Sequence, residues 1–266
     1  MNKIISNYRK IKYCGNQNLP NGLNDSLINQ IRDDIKNHKV VILKNYFDEI
    51  QLKKLKANYF NFFKKSSSTN PVFEKNCNNF FRRDIDPPKS AVKRNKQFAT
   101  IFYWNDDNFG ELKLLKQLSR LRNLIAELPL EYTLNGFEPD GYVTYSNISH
   151  YPINGGNLNK HTDPPNKQFC TIMAAMSKKN IDFKKGGLYV EKGGVKYYID
   201  DFLDIGDVYL MNPQTIHGVD PIDVNSKNNV EWESIKGRWI LFPALIESKT
   251  ANGTKVVGLK DLENNE

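Results

Sequence analysis

From residue 141 to 245 the chain reads as a series of short strand-like runs separated by Gly, Pro and Asn turns. The runs fall at about 141–150, 158–161, 168–176, 187–191, 195–199, 207–211, 217–220 and 237–244. Many short strands at this spacing point to a double-sheet jelly roll. Gly186-Gly187 supplies the backbone freedom for a tight turn into Leu188-Tyr189-Val190.

Three side chains within these strands suggest chemistry. Residues two apart on a strand face the same side, so His161 and Asp163 can reach one ion from one strand end. His217 stands 56 residues later, after the Gly206-Asp207 turn and the apolar run Val208–Met211, and must arrive on another strand. Two imidazoles and one carboxylate on one face of a metal leave the other face open, as in non-haem Fe(II) oxygenases. A structural zinc site would tend to close its shell with Cys or His. The His-x-Asp pair alone is weak, because four histidines and 30 acidic residues in 266 yield about 0.45 such pairs by chance. Its order relative to the Gly-Asp turn, His217, Pro221 and Arg238 carries more weight. The alternative is a pair of loop or core histidines in an unrelated β protein.

In that motif order residues 141–245, and more loosely 38–65, resemble the Fe(II)/2-oxoglutarate-dependent dioxygenase superfamily, with its phytanoyl-CoA hydroxylase-like and prolyl hydroxylase-like members. The resemblance implies an α+β, mainly β fold. Its core would be a double-stranded β-helix (jelly roll, cupin-like), with N-terminal helices packed on one sheet. It implies His161, Asp163 and His217 as iron ligands, and 2-oxoglutarate and O2 as co-substrates. Arg238, 21 residues after the second histidine, would hold the distal carboxylate of 2-oxoglutarate. The planar fork of Arg suits a carboxylate. Alternation puts Arg238, Ile240 and Phe242 on one face, and an Arg on an apolar face needs a partner. Many relatives carry Ser or Thr where this chain has Ile240, so a second contact must come from elsewhere. Tyr151, ten residues before His161, is the candidate, with cross-strand packing as its alternative role. His150 lies on the opposite face and is not expected to be a ligand. The expected outcome is hydroxylation of a substrate C–H bond with release of succinate and CO2. Halogenase members lack the carboxylate ligand that Asp163 provides here. Two rivals remain: a cupin-like metalloenzyme that uses no 2-oxoglutarate, and a non-catalytic jelly-roll binding module.

The first half of the chain is expected to be a helical elaboration. Leu27, Ile28, Ile31 and Ile35 form an apolar stripe on a helix over 24–37, capped by Asn24 or Asp25. Val40–Leu43 reads as a buried strand, Asp48 as the cap of a helix over 49–65, and 111–127 as an amphipathic helix. Ala99–Trp104 reads as a strand. Ser66–Ser68, Asn70-Pro71 and Asp86-Pro87-Pro88 are breakers, so 66–97 is expected to be a lid or substrate-contacting insertion anchored by Phe80-Phe81. It carries Arg82, Arg83, Lys89, Lys93, Arg94 and Lys96, which favour an anionic substrate if the segment covers the iron; a solvated basic loop is the alternative. Residues 246–266 read as a polar tail.

The net charge is +8, spread along the chain and without a nucleic-acid motif, so no nucleic-acid partner is expected. Cys14, Cys77 and Cys170 are odd in number and far apart, as in a reduced cytoplasmic protein, and no membrane span or signal peptide is evident. The substrate is expected to be a small or carrier-tethered molecule.

Overall fold

The computed structural model describes residues 4–9, 11, 22–69, 75–87, 92–164, 167, 169–225 and 229–247. Three helices pack on a curled sheet: α1 (Asp25–Lys36), α2 (Glu49–Lys65) and α3 (Glu111–Ile125). Asn24 caps α1 by accepting from the Leu27 N–H at 2.9 Å, and Asp48 caps α2 by accepting from Gln51 at 2.8 Å. The strands are β1 (Ile5–Tyr8), β2 (Val40–Leu43), β3 (Phe80–Ile85), β4 (Arg94–Ile101), β5 (Tyr142–Pro152), β6 (Asn157–His161), β7 (Thr171–Ala175), β8 (Gly187–Lys192), β9 (Val195–Tyr198), β10 (Val208–Met211), β11 (His217–Asp220) and β12 (Gly237–Glu247). They hydrogen-bond in the order β1-β2-β10-β7-β12-β5-β4-β6-β11-β8-β9, with β3 on the free side of β4. β4 joins the two halves, pairing with both β5 and β6.

Alternation gives one half of the sheet two buried faces. On β10, Val208 and Leu210 join α1–α3 in the main core, while Tyr209 and Met211 face inward with Leu188 and Val190 of β8. On β12, Trp239 and Leu241 meet the helices, while Arg238 and Ile240 line a cavity between the halves. Strands buried on both sides read as unbroken apolar runs, which is why Val40–Leu43 and Val208–Met211 are legible. Trp239 is the hub of the outer face, stacked on Phe63 of α2 at 5.5 Å and on His150 of β5 at 4.2 Å. Among the described residues no helix is long and apolar enough to cross a membrane.

The segment 66–97 departs from expectation. Where a loop was expected, its described residues contain β3 and the start of β4, paired antiparallel from Phe80↔Thr100 to Ile85↔Asn95, and Val92, Arg94 and Lys96 line the cavity between the halves. β4 begins at Arg94, five residues before the expected strand start at Ala99. The charges that disguise these strands neutralise one another: Asp84 accepts from both Arg82 and Arg94. Phe81 does anchor the hairpin, its ring 5.0 Å from that of Phe63. Of the expected tail, 246 and 247 belong to β12, and 248–266 lie outside the described residues, as do Cys14 and Lys89.

His150 is fully buried and has two polar partners. Its Nε2 donates to the Lys236 carbonyl at 2.9 Å, so Nδ1 is the acceptor for Gln97 Nε2 at 3.0 Å. Burial pushes its pKa from 6.5 down to about 3, so the folded ring stays neutral. Below pH 6.5 the unfolded chain binds a proton that the folded chain refuses. This contribution to stability is complete above that pH and is lost as the pH falls toward 3. Between pH 8 and pH 5 the loss from this one group is about 2 kcal/mol. Urea unfolding of His150→Phe should show a lower stability at pH 8, because Gln97 and Lys236 lose a partner, but an acid loss shallower by about 2 kcal/mol.

Candidate active site

β6 and β11 run antiparallel with His217 directly opposite His161, and their ring centroids are 4.3 Å apart. Opposed residues of such a pair project to one face. The register shifts just past this point, between His217 and Val219. Gly218 sits at that bulge, where a Cβ would lie 2.9 Å from the Leu158 carbonyl oxygen and 2.7 Å from the Tyr189 hydroxyl. The close backbone approach thus requires glycine.

Each histidine is held by a carbonyl two residues upstream. His161 Nδ1 is 2.8 Å from the Asn159 oxygen, and His217 Nδ1 is 2.8 Å from the Thr215 oxygen. A carbonyl only accepts, so both Nδ1 atoms carry a proton, and Nε2 is the nitrogen of each ring that can offer a lone pair. Asp163 follows the end of β6. Its N–H donates to the Pro213 carbonyl and its carbonyl accepts from Gln214 Nε2, both at 2.8 Å, which ties its loop to the one leading into His217. The carboxylate lies 3.6 Å from His161 Nε2 and 3.7 Å from His217 Nε2.

The donor set fits a divalent ion. The carboxylate–imidazole separations of 3.6 and 3.7 Å fall inside the ~4.4 Å that two atoms bound to one ion at ~2.0–2.2 Å can span, and one ligand atom from each of the three residues lies within 4.8 Å of the others. Burial lowers the pKa of His217 despite Asp163 beside it, so the ring is neutral. Burial opposes ionisation of Asp163, but His161, His217 and Lys96 outweigh it and hold the carboxyl below its usual range. Two imidazoles and a carboxylate from one side match the oxygenase triad.

The triad opens into a cavity of roughly 290 Å³. Arg238 of β12 lies deeper in it, 2% exposed and opposite Tyr151 of β5. Its Nε donates to Asp200 Oδ2 and its Nη2 to the Tyr209 hydroxyl, both at 2.8 Å. The expected partner of a buried guanidinium is therefore Asp200, which also accepts from the Leu188 N–H at 2.6 Å. Burial opposes the charge on Arg238, and the nearby Asp200 more than offsets it, so its pKa is raised. Tyr151 lines the cavity with its ring 5.7 Å from Arg238 Cζ. Burial also raises the phenols of Tyr151 and Tyr209, which stay O–H groups.

All five residues expected at the site, His161, Asp163, His217, Arg238 and Tyr151, line this one cavity. Asp200 and Tyr209 were not foreseen. Tyr209 had a faint signal, as the only hydroxyl-bearing residue in Val208–Met211; Asp200 had none. Of the basic cluster, only Arg94 and Lys96 reach the cavity among the described residues, whereas Arg83 turns to Gln97 and the face of Trp232.

No family model and no curated protein matches the chain. Solved structures do. A prolyl-4-hydroxylase from Pseudomonas putida shares 14% identity with a TM-score of 0.52, over 81% of this chain and 96% of that one. JOX2, solved in complex with 2OG, Fe and JA, shares 13% with a TM-score of 0.56, over 96% of this chain and 79% of that one. EctD from S. alaskensis in its apoform shares 10% with a TM-score of 0.51, over 95% and 88%. These likenesses establish the fold, a double-stranded β-helix core with helices on one face.

Titration with Co(II) should give one site per chain. Asp163→Ala should weaken it at least about 100-fold, whereas Tyr151→Phe should leave it unchanged, since the phenol is not a ligand.

Proposed function

We propose that this protein is an Fe(II)- and 2-oxoglutarate-dependent oxygenase that hydroxylates a C–H bond of a small or carrier-tethered substrate, releasing succinate and CO2. One observation carries the reading: His161 and His217 face each other in register with both Nδ1 atoms bonded to carbonyls and both Nε2 atoms beside Asp163, in a cavity that also contains a buried Arg. The fold shared with the P. putida prolyl-4-hydroxylase and with JOX2, whose structure contains 2OG and Fe, supports it.

In this reading His161, Asp163 and His217 hold the iron, which supplies the oxidising chemistry when 2-oxoglutarate and O2 are bound. The rest falls to the protein's own groups. Asp200 engages Arg238 through Nε and fixes the plane of the guanidinium, so the remaining N–H groups can take the far carboxylate of 2-oxoglutarate. Tyr151 borders that position as a neutral hydroxyl, a donor rather than a base, while Tyr209 accepts from Arg238 and donates to Met173 Sδ at 3.2 Å. Tyr151 thus fills the place that Ile240 leaves without a hydroxyl. The apolar walls, among them Leu158, Val219 and Ile240, exclude water around the triad. A cytoplasmic location belongs to the same proposal and rests on the odd, widely spaced cysteines.

The rival is a cupin-like metalloenzyme without 2-oxoglutarate. The Arg238–Asp200 ion pair favours it to the extent that Arg238 already has an anion. Labelled 2-oxoglutarate separates the two. With Fe(II) and ascorbate the protein should release CO2 from C1 slowly on its own and faster with substrate, and Asp163→Ala should abolish the release. Arg238→Met combined with Asp200→Asn, which avoids stranding a buried carboxylate, should keep metal affinity but weaken 2-oxoglutarate about 100-fold. Turnover without 2-oxoglutarate would favour the rival.

A further inference from the structure

Lys96 of β4 is the unusual charge in this molecule. It is 9% exposed and lines the cavity next to the metal triad. Among the described residues its Nζ makes no hydrogen bond and no ion pair; it rests over the rings of Phe98, at 4.7 Å, and Tyr151, at 5.9 Å. Of the other buried lysines and arginines, Arg238 has Asp200, Lys56 has Asp182 and Arg94 has Asp84, while Arg122 of α3, with no carboxylate among the described residues, is hydrogen-bonded to Asn123, Thr133 and Thr144. Burial disfavours the charged form of Lys96, and Arg94 adds to the effect. A buried ammonium without an anion sheds its proton, and an anion brought beside it restores the charge.

The neighbouring charges do not. Asp84 pairs with Arg82 and Arg94 and lies opposite Lys96 in the β3–β4 register. Asp163, the other carboxylate that acts on Lys96, is committed to the metal. Arg238, the other cation of the cavity, is paired with Asp200 and assigned to the co-substrate. The remaining positive charge lies on the β4 side of the cavity, with apolar walls such as Leu158, Pro164, Phe242 and Leu245 around it.

We infer that Lys96, backed by Arg94, binds the anionic head of the substrate, so that the protein selects a compact organic acid bearing one carboxylate or phosphate and presents its apolar portion to the triad. The inference rests on the oxygenase reading for the role of the triad. It restricts the substrate class: an amine, a neutral sugar or an uncharged amide would leave Lys96 desolvated and unpaired.

The test uses the full chain loaded anaerobically with Fe(II) and 2-oxoglutarate, whose own affinities are measured first. Failure to load refutes the oxygenase reading itself. The loaded protein is then titrated with isovalerate, isobutyl phosphate and the neutral isovaleramide, followed by calorimetry. At least one anion should bind about ten-fold or more tightly than the amide, and the arm that binds names the head group. Lys96→Gln should remove that preference while keeping metal and 2-oxoglutarate affinity, which also reports that the variant is folded. Lys96→Arg should keep it. Charge-blind binding, no binding of either anion, or loss of 2-oxoglutarate affinity in Lys96→Gln would overturn the inference, the last by assigning Lys96 to the co-substrate.

Discussion

The site depends on one cross-strand pairing, His161 of β6 against His217 of β11. A one-residue slip of either strand would turn its imidazole to the other face. The register is guarded on both sides. A bulge at Gly218 admits no side chain, and hydrogen bonds from Asp163 to Pro213 and from Gln214 to Asp163 fasten the loops that carry the ligands. The two Nδ1–carbonyl bonds then leave both Nε2 atoms on the Asp163 side.

The curl of the sheet brings the other half to this pair. β12 and β5 supply Arg238 and Tyr151 as direct partners, and β10 supplies Tyr209. Their positions follow from alternation: for Arg238 and Ile240 to face the cavity, Trp239 and Leu241 must face the helices. The helices therefore act on the site at a distance, through Phe63, Trp239 and His150, by holding the strand that aims the guanidinium.

Much of this was legible in the sequence. The helices and the apolar strands announce themselves because buried elements obey simple periods. That His161, Asp163 and His217 come together was readable from i, i+2 spacing and motif order, and the place of Arg238 beside them from the family resemblance and its 21-residue distance from His217. The β3–β4 hairpin was not. Its strands carry Arg82, Arg83, Asp84, Arg94 and Lys96, a composition that mimics a solvated loop. Only the tertiary pairing of Asp84 with two arginines, and of Gln97 with His150 and Arg83, makes these residues compatible with a buried sheet. Asp200 was equally hidden. It sits in a single helical turn at 199–202, and nothing local marks it as the partner of a residue 38 positions later. Long-range ion pairs are set by the curl of the sheet, which no local window contains.

The central claim is that three side chains and one guanidinium form a site at which Fe(II) and 2-oxoglutarate bind together. Anaerobic visible spectroscopy tests it without knowledge of the substrate. Adding Fe(II) to the protein and 2-oxoglutarate should produce a metal-to-ligand charge-transfer band that neither component gives alone, and the band should be absent in Asp163→Ala. A protein that binds Fe(II) at this triad yet shows no band at saturating 2-oxoglutarate would contradict the account.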